Sequence, residues 1–188
     1  MSEETTTSQE QDRLPQVDFS FQFNTAKEHE KVESIIFELL CDQAKKSLSS
    51  RKRAGVLVVL GNFDSSKNHI VFGMRQIEKN PVQKYVNLLT KQSAKEVASL
   101  MEANYDGAFV VNRNGQVLGL GIYLTVDQPM LDIPDGSGTR HITAASFSTR
   151  EDVQAVFTLS EETNIVRIWK GGVFTKQYHP EEELVDQD

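Results

Sequence analysis

The chain has 188 residues, 38% of them hydrophobic, which suits one packed domain with extensions rather than several domains. Its net charge of −7 comes from the ends. Residues 1–12 hold Glu3, Glu4, Glu10 and Asp12, residues 180–188 hold Glu181, Glu182, Glu183, Asp186 and Asp188, and neither end holds a Lys or Arg. Subtracting those nine charges from −7 leaves residues 13–179 at +2. A near-neutral core suits a local basic pocket for a small anion and lacks the clustered basic face of a nucleic-acid surface. The longest apolar run, Gly55 to Leu60, is strand-sized, far below the ~20 residues of a membrane span. No apolar signal region follows the N-terminus, and the single cysteine, Cys41, cannot form an internal disulfide. These features predict a cytoplasmic protein with no membrane partner.

In chain order, residues 1–16 are rich in Ser, Thr, Glu and Gln and predict a disordered acidic segment. Val17 to Phe23 alternates apolar and polar residues, as an edge strand or a docking arm would. A helix capped by Asn24 or Thr25 and running to about Leu48 follows from the stripe Val32, Ile35, Ile36, Leu39, Leu40, Ala44 and Leu48. Arg51-Lys52-Arg53 reads as a solvated turn. Ala54 to Leu60 predicts a buried central strand, and Ile70 to Met74 a shorter one. Pro81 to Leu89 predicts a short helix. Ser93 and Glu96 fit a capping box for a further helix to about Ala103.

Phe109 to Val111 and Val117 to Leu124 read as strands joined by the Asn112 to Gly115 turn. After a proline-containing loop, Thr143 to Arg150 predicts a helix. Val153 to Leu159, Ile165 to Trp169 and Val173-Phe174 predict strands separated by tight turns, before an acidic tail. The mixture predicts an α/β fold: a mixed central β-sheet flanked by helices, with an N-terminal helical extension. The corresponding segments are a disordered 1–16, an arm and amphipathic helix over 17–49, a domain over 50–178 and a tail over 179–188.

Three polar clusters lie at strand ends or turns. Asp106-Gly107-Ala108 opens a buried strand; the aspartate could bind a divalent cation or hold a hydroxyl, or simply cap a turn. Gly136 to Ala145 joins flexible glycines to Thr139, Arg140, His141 and Thr143 at a helix start. Those groups can cradle a phosphate, although such a turn can equally be a plain connector. Ser160-Glu161-Glu162-Thr163 is a third polar group, or a plain hairpin turn.

In this order and spacing the three clusters resemble the diadenylate cyclase domain family, which carries an Asp-Gly-Ala motif and, some thirty residues on, a Gly-Thr-Arg-His-Arg motif. Here these read Asp106-Gly107-Ala108 and Gly138-Thr139-Arg140-His141. The Gly55 to Gly61 strand, the strand pair before the second motif and the Ser160 to Thr163 turn also look like the family, over roughly residues 50 to 176. The resemblance implies that each domain binds one ATP and that two domains meet face to face in a homo-oligomer. Each ribose 3'-hydroxyl then attacks the α-phosphate of the other ATP, giving cyclic di-AMP and two pyrophosphates.

By the same resemblance, Asp106 would bind Mg2+ or Mn2+ and help activate the 3'-hydroxyl, and Gly107 and Ala108 would let ATP approach the backbone. Gly138, Thr139, Arg140, His141 and Thr143 would hold the triphosphate. Ser160 would contact phosphate, Glu162 would sit near the metal of the facing site, and Tyr123 and Leu124 would pack adenine unless they are simply core. The helix over 25–48 would lie outside the family core and set how domains associate. The whole looks like a stand-alone soluble member, bacterial or archaeal. One position departs from the pattern: Ile142 stands where the family has its second arginine. An aliphatic side chain cannot donate to phosphate, a loss on the order of 1–3 kcal/mol if nothing replaces it. An active cyclase, a non-catalytic nucleotide-binding module on the same fold and an interaction protein with a bland glycine turn are the readings this leaves.

Overall fold

The computed structural model describes residues 26–50, 54–63, 73–76, 86–103, 106–127, 129–130, 133 and 138–184. The readings for residues 1–25, for Arg51-Lys52-Arg53, for Gly136 and Ser137, and for most of the Ile70 and Pro81 segments fall outside these residues. A seven-stranded mixed sheet forms the centre: β1 (Val56–Gly61), β2 (Met74–Gln76), β3 (Ala108–Asn112), β4 (Val117–Leu124), β5 (Val153–Leu159), β6 (Val166–Lys170) and β7 (Val173–Tyr178). Their spatial order is β2-β4-β3-β1-β5-β6-β7. Only β1 and β3 run parallel, and every other neighbour is antiparallel. The helices are α1 (Ala26–Ser50), α2 (Lys91–Glu102), α3 (Thr139–Phe147) and the short α4 (Pro180–Leu184). This bears out the mixed α/β sheet flanked by helices, with an N-terminal helix.

Strand alternation divides the core into two layers. On one face Val56, Val58 and Leu60 of β1 join Phe109, Val111, Ala155, Phe157 and Leu159. Over them lies the α1 stripe, with Val32, Ile36, Leu40 and Ala44 fully buried and Ile35 and Leu39 packed at its edge. Val97 and Met101 of α2 complete this layer. The amphipathic stripe is therefore buried against the sheet within the chain. On the opposite face Leu57 and Val59 meet Val110, Ile122, Leu124, Val156 and Trp169 beneath Ala144, Ala145 and Phe147 of α3.

Three local expectations need correction. The N-cap of α2 is Thr90, not Ser93; the Ser93 N–H donates to Thr90 Oγ1 at 3.3 Å, and the helix begins at Lys91. Residues 86–89 are not helical: the Val117 N–H donates to the Val86 carbonyl at 2.9 Å and Asn87 bridges Gln116. There the backbone groups are satisfied by the β4 edge rather than by a helical turn. Finally, α3 starts at Thr139, four residues before the apolar pattern suggests, and ends at Phe147.

Candidate functional site

The early start of α3 puts Thr139, Arg140 and His141 in its first turn. Its N-cap is Gly138, with extended backbone (φ −77°, ψ 179°), and no side chain caps the helix. Uncapped N–H groups and the positive end of the helix dipole favour an anion here. Across from this turn the β3–β4 hairpin brings in Asp106-Gly107-Ala108. Gly107 has φ +88°, and a Cβ there would lie 2.8 Å from the Gly121 carbonyl carbon. Glycine is thus required by packing against β4, whatever binds nearby. Asp106 is exposed and accepts the Gly107 N–H at 2.8 Å through Oδ1. Among the described residues its carboxylate has no ion-pair partner.

Both segments line one cavity of about 760 Å3, within the size range of small-molecule sites. Every site residue expected from the sequence contributes to its wall: Asp106, Gly107 and Ala108 on one side, Gly138, Thr139, Arg140, His141 and Thr143 on another, Ser160 and Glu162 from the turn after β5, and Tyr123 and Leu124 from β4. Tyr123 is 51% exposed, which excludes the reading of it as core, and Arg75 lies over its ring at 5.6 Å. Leu124 is buried and belongs to core and wall alike. The Ser160 hydroxyl accepts the Thr163 N–H at 3.2 Å and keeps a proton of its own to donate, with no acceptor for it among the described residues.

Four further wall residues carry no individual site role in the sequence reading: Gly55, Leu57, Ile122 and Glu161. Gly55 matters most. A Cβ there would lie 2.6 Å from Arg140 Cζ and 2.8 Å from Nη2, so the guanidinium rests against the bare backbone at the start of β1. The signal was a glycine just ahead of a Val/Leu run, read only as a strand start. Leu57, Ile122 and Leu124 add an apolar patch to the wall.

His141 is 6% exposed, and its ring meets Trp169 at 5.9 Å. Burial, then the neighbouring Arg167 and Arg140 charges, lowers its pKa from 6.5 to about 4. Near neutral pH it is an uncharged imidazole, so Arg140 is the cation of the α3 turn. Its Nε2 is buried with no hydrogen-bond partner among the described residues. The other buried polar groups of this face are satisfied. Ser146 Oγ donates to the Ile142 carbonyl, Ser148 Oγ to the Ala145 carbonyl, and Thr158 Oγ1 accepts the Trp169 indole N–H at 3.0 Å. A lone unsatisfied nitrogen in a cavity wall is the kind of group a ligand satisfies.

No group of three or more His, Cys, Asp or Glu side chains suited to a metal exists among the described residues. Asp106 with the exposed Glu161 and Glu162 offers hard oxygen donors in one cavity. That set fits a divalent cation that takes one or two carboxylates and completes its shell with phosphate oxygens and water. Among the described residues no helix is long and apolar enough to cross a membrane.

Comparison with known proteins agrees with this architecture. A diadenylate cyclase of Haloferax volcanii is 27% identical over 154 residues, 78% of this chain and 52% of that protein. A diadenylate cyclase of Methanocaldococcus jannaschii is 34% identical over 95 residues, 50% of this chain and 28% of that protein. The chain thus spans about half the length of the first of these relatives, and less of the second. In fold it is similar to a double mutant of DacA from Staphylococcus aureus, with a TM-score of 0.54, 22% identity, and coverage of 86% of this chain and 97% of that one. The family profile described as "DisA bacterial checkpoint controller nucleotide-binding" matches residues 43–174, well over half of the 188. On that match the chain belongs to the diadenylate cyclase (DAC) domain family.

Proposed function

We propose that the chain is a diadenylate cyclase that condenses two ATP into cyclic di-AMP across a face-to-face pair of copies. The observation that carries this reading is the meeting of Asp106-Gly107-Ala108 and Gly138 to Thr143 in one cavity, although some thirty residues separate them in sequence. In it the triphosphate lies on the uncapped start of α3. Thr139 and Thr143 offer hydroxyls, Arg140 its fork of donors, and His141 a neutral Nε2 that makes one hydrogen bond with the bound nucleotide. The apolar wall residues Leu57, Ile122 and Leu124, with the exposed Tyr123, take the adenine.

Asp106 holds the ribose 3'-hydroxyl and would share in holding Mg2+ or Mn2+ brought with the nucleotide. Such an ion, when bound, neutralises phosphate charge and polarises the attacked phosphorus. The 3'-hydroxyl passes its proton to the Asp106 carboxylate as its oxygen forms a bond to the α-phosphorus of the facing ATP; the bond from that phosphorus to the α,β-bridging oxygen breaks, and pyrophosphate leaves. Positioning and charge neutralisation carry such a transfer. One copy supplies half of each reaction centre, so turnover requires association, and Glu162 reaches towards the facing site.

The protein is incubated with ATP and Mn2+ or Mg2+, and the products are separated by mass. Cyclic di-AMP is expected from the wild type, with a loss of at least a hundredfold in Asp106→Asn. ATP-dependent thermal stabilisation without any product would instead support a nucleotide-binding module lacking catalysis, the reading that Ile142 motivates. Neither product nor stabilisation would overturn both.

A further inference from the structure

Among the described residues the cavity wall carries one cation, Arg140, against three carboxylates, Asp106, Glu161 and Glu162. A triphosphate placed there faces more negative than positive side chains. The position after His141, where a second arginine would help, is Ile142. A second guanidinium, not itself among the wall residues, stands on the same sheet face as Leu57 and Trp169.

Arg167 of β6 pairs with Thr158 of β5, which pairs in turn with Leu57 of β1 in the cavity wall. Two residues along the same face stands Trp169, which packs against His141. Arg167 is half-buried, and among the described residues it has no carboxylate partner. Its guanidinium is held in place: Nε donates to Gln177 Oε1 at 2.6 Å, the Gln177 amide leans on His179, and the group lies over the Phe174 ring at 5.4 Å. Partial burial of an arginine without an acid is unfavourable unless an anion arrives. Phe174 under the guanidinium touches Trp169, which touches His141, and the Arg167 charge helps to lower the His141 pKa. The unsatisfied His141 Nε2 in the cavity wall independently marks this turn as awaiting a ligand.

We propose that Arg167 is the second cationic donor of the polyphosphate site, supplied by β6 in place of the arginine that α3 lacks after His141. The assignment rests on the nucleotide reading above. It implies that the anionic end of the ligand spans the start of α3, between Arg140 on the β1 side and Arg167 on the β6 side.

The test is calorimetric titration of the full chain with ATP, inorganic tripolyphosphate and adenosine. Arg167→Ala should weaken ATP and tripolyphosphate about tenfold, the order of one hydrogen bond to a charged group, and leave adenosine unchanged. Its salt dependence should become shallower. Arg167→Lys should recover part of the loss, and adding Ile142→Arg to Arg167→Ala should recover most of it. Gln177→Ala, an exposed change that frees the guanidinium from its anchor, should give a smaller loss of the same kind and keeps the question open to test should Arg167→Ala fold poorly. NMR titration of His141 should show its pKa rising in Arg167→Ala. Wild type that binds ATP while Arg167→Ala binds ATP and tripolyphosphate equally well would overturn the Arg167 assignment alone. Wild type that binds tripolyphosphate but not ATP would sink the nucleotide reading and leave the anion site standing. Binding of neither would remove both.

Discussion

Beneath α1 and α2 the sheet meets apolar cover, and the stripe from Val32 to Ala44 packs on β1, β5 and β6. Beneath α3 the helix start after Gly138 borders a cavity, and in its wall is a buried imidazole whose Nε2 has no hydrogen-bond partner among the described residues. The same strands build both faces, since Val56, Val58 and Leu60 point one way and Leu57 and Val59 the other. One face therefore carries stability and the other gives up part of its cover for a site. Substitutions on the two faces should separate stability from ligand binding.

The largest stability effect is expected on the sealed side. Leu40 is fully buried in α1, and Leu40→Ala removes its contacts and leaves a cavity, at a cost of about 2–5 kcal/mol. Urea unfolding should show this loss, with ATP affinity of the remaining folded protein unchanged. Because the α1 stripe belongs to the core, removing residues 1–48 should unfold the domain rather than alter only its association. A folded, ATP-binding truncation would contradict that.

On the open face the largest stability term is pH-linked. His141 has a folded-state pKa of about 4 against an ordinary 6.5. Between those values the unfolded chain binds more protons, so stability falls as the pH drops through that window and is complete above about 6.5. The contribution is on the order of 3 kcal/mol, at about 1.4 kcal/mol per unit. The charges facing the ring are Arg140 on its own helix and Arg167 on β6. His141→Asn should flatten stability between pH 6.5 and 4; an unchanged slope would place the titration elsewhere.

Much of this division was legible from the residues. The α1 stripe and the Val/Leu runs of β1 and β3 have strong periodic or continuous apolar patterns, and the elements formed there. The cover over that stripe was not legible, because an apolar face shows that it is buried and not by what. The start of α3 was missed because Gly138-Thr139-Arg140-His141 has no apolar period and a glycine cap without a side-chain oxygen. Ser93 looked like a cap because Thr90 and Ser93 both offer hydroxyls; Thr90 is the one in extended backbone, at φ −99°. The site motifs were visible as residue types at a spacing. Gly55 and Arg167 were not, since a close approach to Arg140 and a seat beside His141 are tertiary facts.

Gly55→Ala should act on the site more than on the fold. The added methyl meets the Arg140 guanidinium, the end of a flexible side chain, which must move away. About tenfold weaker binding of ATP and tripolyphosphate is expected, the worth of one displaced charged donor, with a change in stability near 1 kcal/mol. Unchanged affinity would mean that Arg140 binds from another rotamer.

The smallest effect belongs to the mouth of the cavity. Tyr123 is exposed and pairs with Arg75 across the β2–β4 edge, so Tyr123→Ala should change stability by no more than about 0.5 kcal/mol. If its ring packs against adenine, ATP should bind more weakly by about 0.5–1.5 kcal/mol, the range for an aromatic pair. Tripolyphosphate should bind as before, the reverse of the pattern expected for Arg167→Ala. Equal losses for both ligands would show that Tyr123 acts through Arg75 and the strand edge instead of through the base, and would shift the adenine end of the site onto Leu57, Ile122 and Leu124.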